Sequence, residues 1–216
     1  MYRAHRTTSR LKIAFKATVA AALMTAGVSA MATTPDPFYQ YTDSTPLSSI
    51  APGTVLKTRS IQYRIMGLPL PLKATQLLYR STDAQSRPSV NVTTVIKPNC
   101  LLCLNRNKVI SYQSLYDSLN PEDAPSRAIA GGKRLPDIVP GFETVLFAPY
   151  LIKGYTIIVP DTEGQKADFA AGPEYGYNTL DSIRAAIHSS ATGLNSSAKV
   201  ALVGYSGGAI ATEWAA

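Results

Sequence analysis

The stretch Val200-Ala201-Leu202-Val203-Gly204-Tyr205-Ser206-Gly207-Gly208 constrains this chain more than any other. Four apolar residues in a row suit a short strand in a sheet covered on both faces. Gly204 and Gly208 then bracket Ser206 as G-x-S-x-G. That spacing suits a tight, strained turn from strand into helix, with glycines where the backbone approaches neighbouring chain. Ala209, Ala211 and Ala215 continue as a small-residue helix, and Gly208 and Ala209 would let it pack closely on a sheet. The three fixed positions alone arise by chance about 0.07 times in a chain this long. The strand before and the helix after therefore carry the weight, against the plain alternative of an ordinary Gly-Ser turn. A serine on such a turn is a candidate nucleophile, and it needs a base and a group to orient that base.

The rest of the chain supplies a sheet for this turn to sit on. Residues 33–53 are rich in Pro, Thr and Ser and read as an irregular arm. "TVLKTRSIQYRI" alternates as a strand. Thr75–Tyr79 and Val90–Ile96 read as the arms of a hairpin, with Asp83, Ser86 and Pro88 punctuating between them. Lys108–Ser114 is a further strand. Residues 117–142 carry four prolines and three glycines and predict a long loop with room for a helical turn. "ETVLFAPYLIKG" predicts a helix stopped at Gly154, and "YTIIVPD" a short buried strand. "NTLDSIRAAIHSS" predicts a helix capped by Asn178, with Leu180, Ile183 and Ile187 as its apolar stripe. "KVALVGYS" is another buried strand. The later order, strand-helix three times over, implies an α/β chain. Its sheet is mostly parallel, with helices on its faces and an N-terminal antiparallel hairpin at its edge. Functional loops of such a sheet lie at the carboxyl ends of strands, where Ser114, Asp117, Asp161 and Ser206 fall.

Residues 1–32 read as an export signal. Arg3, Arg6, Arg10, Lys12 and Lys16 form a basic head, Ala17–Val28 an apolar run, and Val28-Ser29-Ala30 and Ala30-Met31-Ala32 suit cleavage. The expected product is secreted or periplasmic. Five of the seven net positive charges belong to this leader, which leaves about +2 for residues 33–216. No basic run survives there, which argues against a nucleic-acid partner. Cys100 and Cys103 are the only cysteines. In an exported protein a local disulfide is the first reading, with unpaired structural thiols as the alternative. A zinc site would need a second ligand pair, which the sequence lacks.

Taken in order, "PGTVLKTR", "QLLYRSTDAQSRPSVNVTTVIKP", "SYQSLYDSLNPEDAPS", "GYTIIVPDTEG", "AGPEYGYNTLDSIRAA" and "VALVGYSGGAIATEWAA" resemble the secretory lipase family of α/β-hydrolases across roughly residues 50–216. The resemblance implies an α/β-hydrolase fold, truncated here after the nucleophile turn. It implies Ser206 as nucleophile, the Gly207 backbone N–H as one oxyanion donor, and Asp117 as the other oxyanion-hole residue. An ionised aspartate cannot donate, so the Asp117 backbone N–H is the expected donor. The alternative for Asp117 is a turn or capping aspartate. Lipid or ester substrates, transient contact with a lipid interface, and chemistry without metal or cofactor follow from the same resemblance. Where family members often carry a cysteine before "APS", this chain has Asp123.

The histidine is the open question. His5 lies in the leader, and His188 falls on the polar side of its helix, in line with Asp181 and Arg184. α/β-Hydrolases order their triad as serine, acid, histidine, so acid and base are both expected after Ser206. Asp161 and Glu163 precede it and read as loop-capping carboxylates. The chain runs out in mid-helix at Trp214-Ala215-Ala216. The expectation is therefore an N-terminal part of a longer hydrolase, inactive alone, with the remaining strands and the lid beyond it. The competing expectations are a non-catalytic truncated or lipid-binding relative, and an esterase or peptidase for soluble substrates.

Overall fold

The computed structural model describes residues 36–65, 67–99, 105, 107–132 and 138–216. The leader 1–32 and the Cys100/Cys103 pair lie outside the described residues. Six strands form the sheet: β1 (Val55–Ile65), β2 (Leu68–Thr82), β3 (Pro88–Ile96), β4 (Lys108–Gln113), β5 (Thr156–Pro160) and β6 (Lys199–Gly204). Their spatial order is β1-β2-β3-β5-β4-β6. β1, β2 and β3 pair antiparallel, and β3 joins β5 antiparallel. β5, β4 and β6 run parallel. The antiparallel part is thus larger than an edge hairpin, because β1 extends it by a third strand.

Among the described residues four helices flank the sheet: α1 (Pro125–Ala130), α2 (Ile138–Ile152), α3 (Gly172–His188) and α4 (Gly207–Ala215). The period-two alternation of β5 shows how the layers divide. Ile157 and Val159 join a core with Tyr63, Ile129, Phe147 and Leu151, under α1 and α2. Ile158 joins the opposite core with Leu77, Tyr79, Ala185 and Ala186, under α3. No helix among the described residues is long and apolar enough to cross a membrane.

Three local expectations are corrected. α3 starts at Gly172, six residues before Asn178, so Asn178 is an interior residue rather than the cap. Its buried side chain accepts from Ser81 Oγ (2.8 Å) and donates to Thr162 O (3.1 Å). The packed face of α3 is polar and small. Asn178, Thr179, Asp181, Ser182, Ala185 and Ala186 are buried, while Leu180, Ile183 and Ile187 are only half-buried. Asp181 accepts from Ser81 Oγ (3.1 Å) and from Arg184 (2.6 Å), and Ser182 Oγ meets Thr93 Oγ1 at 3.0 Å. Hydrogen bonds across the interface let the helix bury Asn178, Asp181 and Ser182. β6, finally, is not a buried strand. Val200, Leu202 and Val203 are half-buried and Ala201 is exposed, because among the described residues β6 is the last strand of the sheet and nothing flanks its outer edge.

α2 begins at Ile138, five residues earlier than its apolar run suggests. Pro140 falls in its first turn, where a missing N–H costs nothing. Its inner face carries Glu143, Thr144, Phe147 and Leu151, and its outer face leaves Phe142, Val145, Leu146 and Ile152 exposed.

Candidate active site

Ser206 joins β6 to α4 with φ 52° and ψ −123°. A residue with a β-carbon adopts that backbone region only at a cost of about 1–3 kcal/mol, so its surroundings must enforce it. The Gly208 N–H donates to Tyr205 O (2.9 Å) and the Ala209 N–H to Ser206 O (2.8 Å), which closes the turn into the helix. Gly204 and Gly208 make the turn sterically possible. A β-carbon on Gly204 would overlap Gly208 O and lie 2.7 Å from Thr212 Oγ1. One on Gly208 would overlap Gln113 O and lie 2.8 Å from Ser114 O, the backbone at the end of β4. Ala209 is exposed, whereas Ala211 and Ala215 are buried. Ser206 is itself exposed, and its hydroxyl has no hydrogen-bond partner among the described residues.

The loop leaving β4 comes to the same place. Asp117 is exposed, and a β-carbon on Gly207 would overlap its Oδ1 and lie 3.3 Å from Tyr116 O. The structure therefore brings Ser206, Gly207 and Asp117 together. Three buried carboxyls hold this loop. Glu143 of α2 accepts from Ser114 Oγ (2.5 Å), the Leu115 N–H (2.6 Å) and Tyr112 Oη (3.0 Å). Burial raises its pKa, and these hydrogen bonds oppose the rise. Glu163, between β5 and α3, accepts from the Ser118 N–H (3.2 Å) and Tyr175 Oη (3.1 Å). Asp123 is buried, and it accepts from Ser118 Oγ at 2.7 Å. It ties the loop at the position where members of the resembled family often carry a cysteine.

Neither remaining candidate supplies a base for Ser206. His188 is exposed on the last turn of α3. That helix spans about 25 Å at ~1.5 Å per residue. It carries the chain from the carboxyl end of β5 back toward the amino end of β6, away from Ser206. Asp161 at the end of β5 accepts from the Ser126 N–H (2.9 Å) and Ser126 Oγ (2.6 Å), in the first turn of α1. Burial raises its pKa to about 6, against the pull of these bonds and of Arg127. Asp161 and Glu163 thus hold loop and helix amides, as their sequence positions suggested.

Residues 132–216 match the family model for secretory lipases. The chain belongs to the secretory lipase family. Lipase 2 of Candida albicans is 42% identical over 168 residues, 76% of this chain and 35% of that lipase. A probable inactive lipase of Mycobacterium tuberculosis is 39% identical over 166 residues, 76% of this chain and 37% of that protein. Candida antarctica lipase A in its closed state superposes with a TM-score of 0.72 at 35% identity, covering 84% of this chain and 41% of that structure. The fold is accordingly that of an α/β-hydrolase. This lipase-family chain spans well under half the length of the relatives it matches.

Sequence reasoning missed Glu143 as a site residue, although a signal was present. It is the one charge in "IVPGFETVLFAPYLI", and a lone carboxyl in an apolar helix needs buried partners. The tyrosines that share the Glu163 network, Tyr116 and Tyr175, carried no comparable mark.

Proposed function

We propose that the full-length protein is an exported serine hydrolase, a lipase or carboxylesterase that works through an acyl-enzyme on Ser206. The backbone of Ser206 supports this most directly: a non-glycine residue at φ 52° and ψ −123°, exposed between a strand and a helix. Ser206 Oγ would attack an ester carbonyl, and the backbone N–H groups of Gly207 and Asp117 would hold the alkoxide that forms. The alcohol then leaves, and water hydrolyses the acyl-serine. A histidine oriented by a carboxylate takes and returns the proton, and in α/β-hydrolases both follow the serine in the chain. No metal or cofactor enters this chemistry. Lipid or other ester substrates are the class that the names of the relatives suggest.

The test is covalent labelling. A fluorophosphonate should label the full-length protein at Ser206, and Ser206→Ala should abolish both labelling and ester hydrolysis. The competing reading is a non-catalytic family member, and it draws support from the Mycobacterium tuberculosis relative whose name calls it inactive. Unlabelled wild-type protein would decide for that reading. Comparing a triacylglycerol emulsion with a short soluble ester separates lipase from esterase. Export is tested by mass spectrometry of secreted protein, which should begin at Met31 or Thr33; an intact Met1 would overturn it.

A further inference from the structure

Asp117 lies between two residues that are both tied to Glu163. The Glu163 backbone N–H donates to Tyr116 Oη at 3.1 Å. The Glu163 side chain accepts from the Ser118 N–H at 3.2 Å. Tyr175 Oη donates to the same Oε1 at 3.1 Å while accepting from the Ala170 N–H at 3.0 Å, which fixes the carboxyl from α3. Glu163 has 0% exposure, and its Oε2 has no hydrogen-bond partner among the described residues. The backbone N–H of Asp117 makes no hydrogen bond among the described residues, so nothing holds it directly. Each residue has only two soft backbone dihedrals. With the Tyr116 hydroxyl and the Ser118 N–H both held, the Asp117 backbone between them has little freedom to turn.

We propose that Glu163 is the positioning residue for Asp117: by accepting the Ser118 N–H and donating to Tyr116 Oη, it holds the Asp117 backbone against the Ser206–Gly207 turn. The proposal deepens the hydrolase reading and rests on it for its catalytic consequence. The structural cost of Glu163 sharpens the point. The charged and titratable groups that face it are the carboxyls of Asp117 and Asp161 and the phenols of Tyr116 and Tyr175. Burial raises its pKa to about 7, against the Ser118 and Tyr175 hydrogen bonds, and the two carboxylates push in the same direction as burial. An amide in its place would still accept from Ser118 and Tyr175 and would carry no charge.

The experiment uses the full-length protein with Glu163→Ala, Glu163→Gln and Tyr175→Phe. Amide exchange is read in the segment around Ser118, alongside kcat and KM on a soluble ester. Glu163→Ala should expose the Ser118 amide to exchange. It should also lower kcat by about 10²–10³, the loss typical of one missing oxyanion donor, with KM changed less than threefold. Glu163→Gln should keep the amide protected and kcat within about tenfold of wild type. Tyr175→Phe should speed Ser118 exchange and lower kcat less than Glu163→Ala does. A folded Glu163→Ala with wild-type exchange and kcat would overturn the proposal. So would a Glu163→Gln as slow as Glu163→Ala while Ser118 stays protected. If Glu163→Ala does not fold, unchanged Ser118 exchange in Tyr175→Phe overturns it. Expected exchange behaviour in a protein that fluorophosphonate does not label leaves the loop anchoring intact and removes the hydrolase reading instead.

Discussion

Asp117 Oδ1 occupies the space that a β-carbon on residue 207 would need. The neighbouring glycine is blocked by something firmer. A β-carbon on Gly208 would meet the backbone of Gln113 and Ser114 at the end of β4. An exposed aspartate side chain can swing aside, whereas a strand backbone in a parallel sheet cannot. Gly207→Ala should therefore cost little in stability, and Gly208→Ala about 1–3 kcal/mol, the usual range for overpacking. Urea unfolding of both variants checks this. A Gly207→Ala variant at least as destabilised as Gly208→Ala would show that the Asp117 side chain is held as rigidly as the strand.

The role proposed for Asp117 lies in its backbone. Asp117→Asn keeps the N–H and should retain activity within about tenfold. Asp117→Pro lacks the N–H and should lose about 10²–10³ in turnover or more. Circular dichroism must show both folded for the comparison to hold. Full activity in a folded Asp117→Pro variant removes Asp117 from the oxyanion hole.

The 216-residue chain by itself should show no ester turnover above background. Among the described residues no side chain hydrogen-bonds Ser206, and His188 sits at the far end of α3. Without its base a serine hydrolase loses several orders of magnitude in rate. Hydrolysis of a p-nitrophenyl ester by purified residues 33–216, abolished by Ser206→Ala, would overturn this and make His188 the first base to test.

What could be read from the sequence depended on whether the signal was local. The turn at Ser206 was legible because its glycines are spaced for their own backbone contacts. The strands were legible from alternation or from short apolar runs. The start of α3 was hidden, because Gly172, Pro173 and Gly176 read as loop. Trp214 supplies the missing reason. A β-carbon on Gly172 would overlap its ring, and one on Gly176 would lie 2.6 Å from its carbonyl oxygen, so these glycines let α3 and α4 approach closely. The buried polar face of α3 was likewise invisible, since Asp181 and Ser182 find partners on β2, on β3 and within α3 only after folding. The carboxyls beneath the Asp117 loop belong to the same class: their roles arise from residues 28 and 45 positions away in the chain.

Those carboxyls also give the protein a pH signature. Burial raises Asp161 to about 6 and Glu163 to about 7, from ordinary values of 3.8 and 4.5. Glu174 is raised as well, by burial first and then by neighbouring Asp168, against a hydrogen bond from the Ala84 N–H. In each case the folded chain keeps a proton that the unfolded chain releases. Between the ordinary and the raised value the unfolded state binds fewer protons, so stability falls as pH rises. The loss begins near pH 4 and is complete once pH passes about 7, where both states are ionised. Asp36 and Asp83 act in another window. Despite burial, hydrogen bonds to Phe38, Gln85 and Arg87 amides and to the Arg59 and Arg87 side chains lower them. Their contribution is lost only as pH drops below about 4. Thermal unfolding from pH 5 to pH 8 should therefore show a Tm that declines and then levels off. In Glu163→Gln one of these titrations is absent, so the decline should be shallower and the variant should gain on wild type between pH 5 and pH 8. Parallel Tm curves for the two proteins would mean that Glu163 keeps the same pKa folded and unfolded, and that its burial does not govern its charge.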